Sequence, residues 1–197
     1  MRMTRRPSQV VAGLAAVCLL AASCSDPEGN ATPTTEPAPT APSQPSASPP
    51  PGPTPWPKPT RPEATEREDI EGAKVAAQYF LELHPYAFAT GDLTEWHALS
   101  HPECDFCAGS ASHVADLFGS DGYAIGGEYQ IDDVEASEPT DGQDYYLVTV
   151  RGVEEPSTEY SSDGLVTAQF EGGPFEYFIA LSFEGNQWVV RGVNWEE

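Results

Sequence analysis

Two periodicities divide the chain. Between Glu68 and Ala89 apolar residues recur at helical spacing, with Ala76, Phe80, Leu83 and Ala87 in one stripe and Ile70, Ala73, Ala77 and Leu81 widening it. That is the pattern of a helix laid on a core. Glu63, Glu66, Glu68 and Asp69 lie at its start and suit the positive end of its dipole. The later turns are apolar nearly all round, which predicts burial, and Pro85, which has no amide proton, predicts a bend or local opening near Leu81. Thr90, Gly91 and Asp92 form a stop: glycine tolerates the left-handed conformation at a helix end, and an aspartate accepts hydrogen bonds from the free amides of the next first turn. A short second helix, capped by Asp92 or Thr94, is expected through Trp96 and Leu99 up to Ser100, His101 and Pro102. Ala111, Val114, Ala115 and Phe118 space a third helix, closed by Gly119 and Gly122.

From Tyr123 the period changes to two. Tyr129 and Ile131 alternate with polar residues, and the runs 145–150, 165–170, 175–183 and 188–195 are rich in aromatic and branched side chains, as strands are. Asp141 and Gly142, Asp163 and Gly164, and Glu184, Gly185 and Asn186 lie between these runs as tight turns, which makes an antiparallel meander the economical topology. Helices followed by strands predict a single α+β domain over residues 67–197, with three N-terminal helices packed on a curved antiparallel sheet of four to six strands.

The first third of the chain carries neither pattern. Arg2, Arg5 and Arg6 precede an apolar run from Val10 to Ala22, the form of an export signal over residues 1–23. The run is shorter than the about 20 residues a membrane span needs. Leu19, Leu20, Ala21, Ala22 and Ser23 before Cys24 resemble the lipobox of bacterial lipoproteins, with Ala21 where that motif most often has leucine. The resemblance implies cleavage before Cys24, lipidation of its thiol, and anchoring to the cell membrane on the extracytoplasmic side, since two acyl chains hold where one does not. Residues 24–66 are then a spacer of Pro, Thr, Ser and Ala with too little apolar surface to fold. Polyproline-like geometry would extend it ~100 Å at about 3.1 Å per residue. Trp56 has no evident role there.

Charge narrows the partners. The chain has 31 acidic and 9 basic residues and a formal net charge of -22, three of the basic residues lying in the export segment. Such a field disfavours nucleic acid and anionic surfaces, and leaves an envelope protein or a basic partner open beside plain solubility.

An aromatic helix (Tyr79, Phe80, Tyr86), the Thr90-Gly91-Asp92 turn, the Leu99-Ser100 pair and the Cys104-x-x-Cys107 pair resemble actinobacterial lipoprotein families whose exported domain has no assigned function. The order of helices and curved sheet is similar to the cone-shaped folds of the nuclear transport factor 2 superfamily, which implies a fold and no particular chemistry. Neither resemblance brings a catalytic residue.

Cys18 leaves with the export segment, so Cys104 and Cys107 are the remaining pair and are expected to form a disulfide that fixes their turn. A redox pair would want a βαβ context, absent here. A metal site drawn from His97, His101, Cys104, Cys107 and His113 matches no familiar spacing. Asp116, Asp121, Asp132, Asp133, Asp141 and Asp144 lack the regular ladder of a calcium loop. No catalytic residue, metal or cofactor is therefore expected. Tyr79, Tyr86, Tyr146, Phe178, Trp188 and Trp195 are candidates to line a pocket between helices and sheet, or simply to fill the core. The expectation is a tethered envelope lipoprotein displaying a non-enzymatic binding or interaction module. The alternative is an enzyme or small-molecule carrier that uses the pocket, and a cleft holding converging carboxylates or a histidine would favour it.

Overall fold

The computed structural model describes residue 52 and residues 55–195. The expected export segment with Cys18, the expected lipidation site Cys24 and most of the proline-rich stretch lie outside the described residues. The first helix, α1 (Ile70–Thr90), begins where the Asp69 side chain accepts the Gly72 amide at 2.7 Å and so satisfies an otherwise free first-turn donor. It ends at Gly91, whose φ of 75° is left-handed and whose amide donates to Ala87 at 2.8 Å. A Cβ there would also meet the Phe118 ring at 3.0 Å, so the backbone favours glycine and the packing leaves little room for more. The helix runs unbroken through Pro85. One lost hydrogen bond is outweighed because nearby Leu83 and Tyr86 are buried.

Helix α2 (Thr94–Leu99) has Leu93 as its cap residue, and Asp92, one position earlier, accepts the Thr94 amide at 3.0 Å and the Tyr86 hydroxyl at 2.9 Å. The sequence stop is thus also a tie between two helices. Helix α3 (Asp105–Gly119) starts from Cys104, whose sulfur accepts the Cys107 amide at 3.2 Å. Cys104 and Cys107 form a disulfide with both residues buried.

The strands are β1 (Tyr123–Gly126), β2 (Tyr129–Ser137), β3 (Tyr146–Glu154), β4 (Ser157–Tyr160), β5 (Val166–Phe170), β6 (Gly173–Glu184) and β7 (Gln187–Trp195). They form two antiparallel sheets, four-stranded in the order β2-β3-β6-β7 and three-stranded in the order β1-β4-β5. The expected α+β arrangement of three helices and antiparallel sheet is present. Its topology is not a plain meander, because β4 and β5 leave the main sheet after β3 and pair with β1. Strand β4, with Ser157, Thr158, Glu159 and Tyr160, offers no alternating aliphatic face for the main sheet to bury. The expected turns are in place, with Gly142, Gly164, Gly185 and Asn186 all at positive φ.

The main sheet presents Val148, Val150, Ile179, Leu181 and Val190 to Ala73, Ala76, Ala77, Phe80 and Leu81 of α1, all fully buried. Alanines on the helix let it approach closely, and the large side chains of the strands fill the interval. Trp96 closes one end: its ring stacks on Phe80 with centroids 4.3 Å apart, and its indole N–H donates to the Cys107 carbonyl at 3.0 Å. Part of the stretch that composition assigns to the spacer also lies on the domain. Trp56 packs against the core, Arg61 pairs with Glu95 at 2.7 Å, Lys58 lies 3.6 Å from Asp92, and Thr65 is buried within a short 3-10 turn (Glu63–Glu66). Among the described residues no helix is long and apolar enough to cross a membrane.

Candidate functional site

Where the main core is filled, the space between α1, α3 and the smaller sheet is not. The two helices each bring a pair of residues one turn apart, His84 and Phe88 on α1 and Gly109 and His113 on α3, so each pair shares a face. Between them and the sheet lies a cavity of about 270 Å³. Gly109 contributes to it by omission, since a Cβ on that residue would meet nothing within 4 Å.

Glu159 is the floor. Strand alternation turns it to the covered face of β4, and in register it is flanked by Ala124 of β1 and Ala168 of β5. Two methyl groups cannot fill the room beside a glutamate, and a hollow results. The side chain is only 8% exposed, and its Oε1 receives no hydrogen bond. His113 Nε2 is 2.9 Å from that oxygen, within ion-pair distance but without the direction of a hydrogen bond. His113 itself is half-exposed at the rim, its ring edge-on to Phe88 at 5.1 Å.

His84 forms the inner wall. Burial, with neighbouring His113 adding to it, pulls its pKa down to about 4, so the ring is neutral at pH 7. Its Nδ1 faces the Tyr129 hydroxyl at 3.4 Å. Burial, then the nearby Tyr177 and Glu154, raises the pKa of Tyr129 far above the usual phenol range, and the hydroxyl stays protonated. Glu154, also on the cavity wall, is pushed up by burial, an effect the Tyr129 hydrogen bond opposes. The remaining walls are apolar, from Pro85, Phe88, Ala124 and Phe170, with Ser110 and Ser157 adding hydroxyls. The cavity therefore combines an apolar body, a neutral histidine, a second histidine at the rim and two carboxylates. Such a set can orient a small ligand and exchange protons with it.

The six aromatics singled out in the sequence lie elsewhere. Tyr79 and Trp188 are buried in the main core, and Tyr146 meets Trp188 edge-on at 5.1 Å. Tyr86 is buried with its hydroxyl on Asp92. Phe178 is half-buried on the face of β6 opposite Ile179. Trp195 is 55% exposed and borders a second hollow of about 280 Å³ that also includes Glu154 and Tyr177. None of the six lines the cavity around Glu159. The weighed metal set is not assembled, because its two sulfurs are bonded to each other, and among the described residues no three His, Cys, Asp or Glu side chains converge on one point. Of the acids considered for calcium, Asp133 is held by Arg151 at 2.8 Å.

Sequence reasoning passed over His84, Glu154 and Glu159. A usable signal existed for His84, the one basic side chain in a stretch that is otherwise apolar nearly all round. Glu159 had none, since its burial depends on alanines 35 residues before and 9 residues after it in the chain.

Comparison with known proteins gives the family. No curated protein matches the chain. Among solved structures, the intermembrane space region of the chloroplast protein ARC6 matches at 9% identity with a TM-score of 0.49, covering 66% of this chain and 97% of that one. Aln2 from a Streptomyces species matches at 14% identity and a TM-score of 0.39, over 62% and 88% of the two chains. The beta subunit of benzoate 1,2-dioxygenase from Burkholderia mallei matches at 13% identity and a TM-score of 0.37, over 60% and 86%. A family model matches residues 49–194, so it takes in Trp56 and the docked segment together with the cavity. The chain thus belongs to DUF6318, a family of unknown function.

Proposed function

We propose that this protein is a lipid-anchored component of an actinobacterial cell envelope whose folded domain binds a small ligand in the cavity between α1, α3 and the smaller sheet. Residues 1–23 act as the export signal, Cys24 carries the lipid, and the proline-rich stretch holds the domain away from the membrane. The lipobox-like residues before Cys24 support the anchor. One observation carries the binding role: Glu159, whose buried Oε1 receives no hydrogen bond, lines a largely apolar hollow of about 270 Å³. An acceptor left open in a buried place is costly to a fold, and a ligand donor would satisfy it.

Two variants test the two halves. Gly109→Leu adds a side chain into open space and should abolish ligand binding in a fragment screen by calorimetry while leaving the fold intact. Fragments bound equally by both forms would place binding elsewhere. Cys24→Ser should release the protein from the membrane fraction, and continued fractionation with membrane would overturn the anchor.

A second reading, general acid–base catalysis in the same cavity, draws on the 2.9 Å approach of His113 Nε2 to Glu159. It requires turnover. Recovery of every bound ligand chemically unchanged after incubation would leave the carrier reading alone.

A further inference from the structure

The lining of the cavity restricts what kind of molecule it takes. Glu154 and Glu159 both face it, and among the described residues neither lysine nor arginine lines it. An anionic ligand would therefore enter against two acidic side chains with no fixed cation to receive it. A ligand carrying only acceptors would leave Glu159 Oε1 without a donor. The neutral ring of His84 adds no charge to offset the carboxylates. A protonated amine answers each of these points, because it supplies up to three N–H donors and a positive charge where the lining is acidic.

The apolar surface restricts the rest of the ligand. Phe88 stands on the helical side, Phe170 on the sheet side, and Pro85 and Ala124 complete a wall suited to a hydrocarbon or aromatic body. Aromatic rings beside a cation favour it further. A volume of about 270 Å³ falls just below the range of about 300 to 1,000 Å³ for drug-sized sites, so the ligand is small. The surrounding field agrees, since 31 acids against 9 bases draw cations toward the domain.

We propose that the cavity is a binding site for a small organic cation, a protonated primary amine on an apolar or aromatic body. Its ammonium pairs with the Glu159 carboxylate and its body rests between Phe88 and Phe170. The inference rests on the cavity being a ligand site at all, and names the class of ligand. His113 Nε2 approaches Oε1 at 2.9 Å without hydrogen-bond direction, so that oxygen still lacks a hydrogen-bond donor.

Three probes of nearly equal size separate charge from shape: benzylamine, benzyl alcohol and benzoate, titrated by calorimetry into the full chain, into Glu159→Gln and into Gly109→Leu. Benzylamine should bind at least tenfold more tightly than either of the others. Glu159→Gln should weaken benzylamine by tenfold or more and change benzyl alcohol by less than threefold, with an unaltered circular dichroism spectrum. Raising the salt concentration should weaken benzylamine alone. Benzoate or benzyl alcohol binding as tightly as benzylamine, with Gly109→Leu still blocking both, would overturn the cation assignment and keep the cavity as a ligand site. Binding of all three probes that is indifferent to Gly109→Leu, or no binding of any, would overturn the ligand site with it.

Discussion

The two sheets use their covered faces in opposite ways. On the four-stranded sheet the inward positions Val148 and Val150 of β3 and Ile179 and Leu181 of β6 are all aliphatic and have no accessible surface. On the three-stranded sheet the most deeply covered residue of the central strand is a glutamate flanked by two alanines, and the outer strand leaves Val166 and Phe170 about half exposed. The first arrangement devotes its side chains to close packing. In the second, small residues and an unsatisfied acceptor give up packing for a hollow. Proteins that break the ordinary rules of burial tend to do so at functional places, and here the violations are gathered at one end of α1.

If the main sheet and its helices supply most of the stability, the largest loss should follow Trp96→Ala. That substitution removes the ring stacked on Phe80 and the donor to Cys107, and should cost about 3 to 5 kcal/mol in urea unfolding. A comparable cost for Phe88→Ala, on the cavity wall, would break the contrast between filled and hollow halves.

The next effect belongs to pH. His84 has a folded pKa of about 4 against an ordinary 6.5, so between those values the unfolded chain binds a proton that the folded chain refuses. Stability is therefore whole above about pH 6.5 and declines as pH falls toward 4, by at most about 3 kcal/mol. His113 and Tyr129 are the titratable groups facing it. His84→Phe should flatten this part of the profile, and an unchanged slope in pH-dependent thermal melts would mean that other groups carry it.

A smaller change is expected at the disulfide. Cys104 and Cys107 close a loop of very few residues, so their joint replacement by serine should cost only about 1 to 2 kcal/mol. Because both are buried, mild reductant should leave the bond intact while the chain is folded. Rapid reduction in the native state, followed with a thiol reagent, would point to an accessible pair instead.

The smallest effect sharpens the comparison most. Glu159→Gln keeps the shape and removes the charge from a site that lacks a donor, and should change stability by no more than about 0.5 kcal/mol in either direction. A loss of about 2 kcal/mol or more, the scale of a broken buried pair, would make Glu159 a structural partner of His113. The hollow half would then be bound together as firmly as the filled one.

Much of the framework was legible without coordinates. Helical spacing from Ile70 to Ala87, the stop at Gly91, the period-two runs and the Asp-Gly turns all depend on neighbours within a few residues, and local geometry obeys local chemistry. The pairing of Cys104 with Cys107 is of the same kind. Trp56 was not legible, because a lone aromatic in a proline-rich stretch acquires meaning only from the core it touches. Nor was β4 recognisable, since Ser157, Thr158, Glu159 and Tyr160 carry no aliphatic alternation and become a strand through pairing with β1 and β5.

The sequence by itself determined the order of helices and strands, the ends of α1, the turn chemistry and the acidic field, all of which follow from spacing, composition or single residues with special backbones. Only the tertiary structure decided that the strands divide into two sheets, that the six aromatics lie away from the hollow, and that His84, His113, Glu154 and Glu159 surround it. Those outcomes depend on which residues become neighbours from distant parts of the chain. Burial of a carboxylate is a property of the alanines opposite it, and no pattern read along one strand contains them.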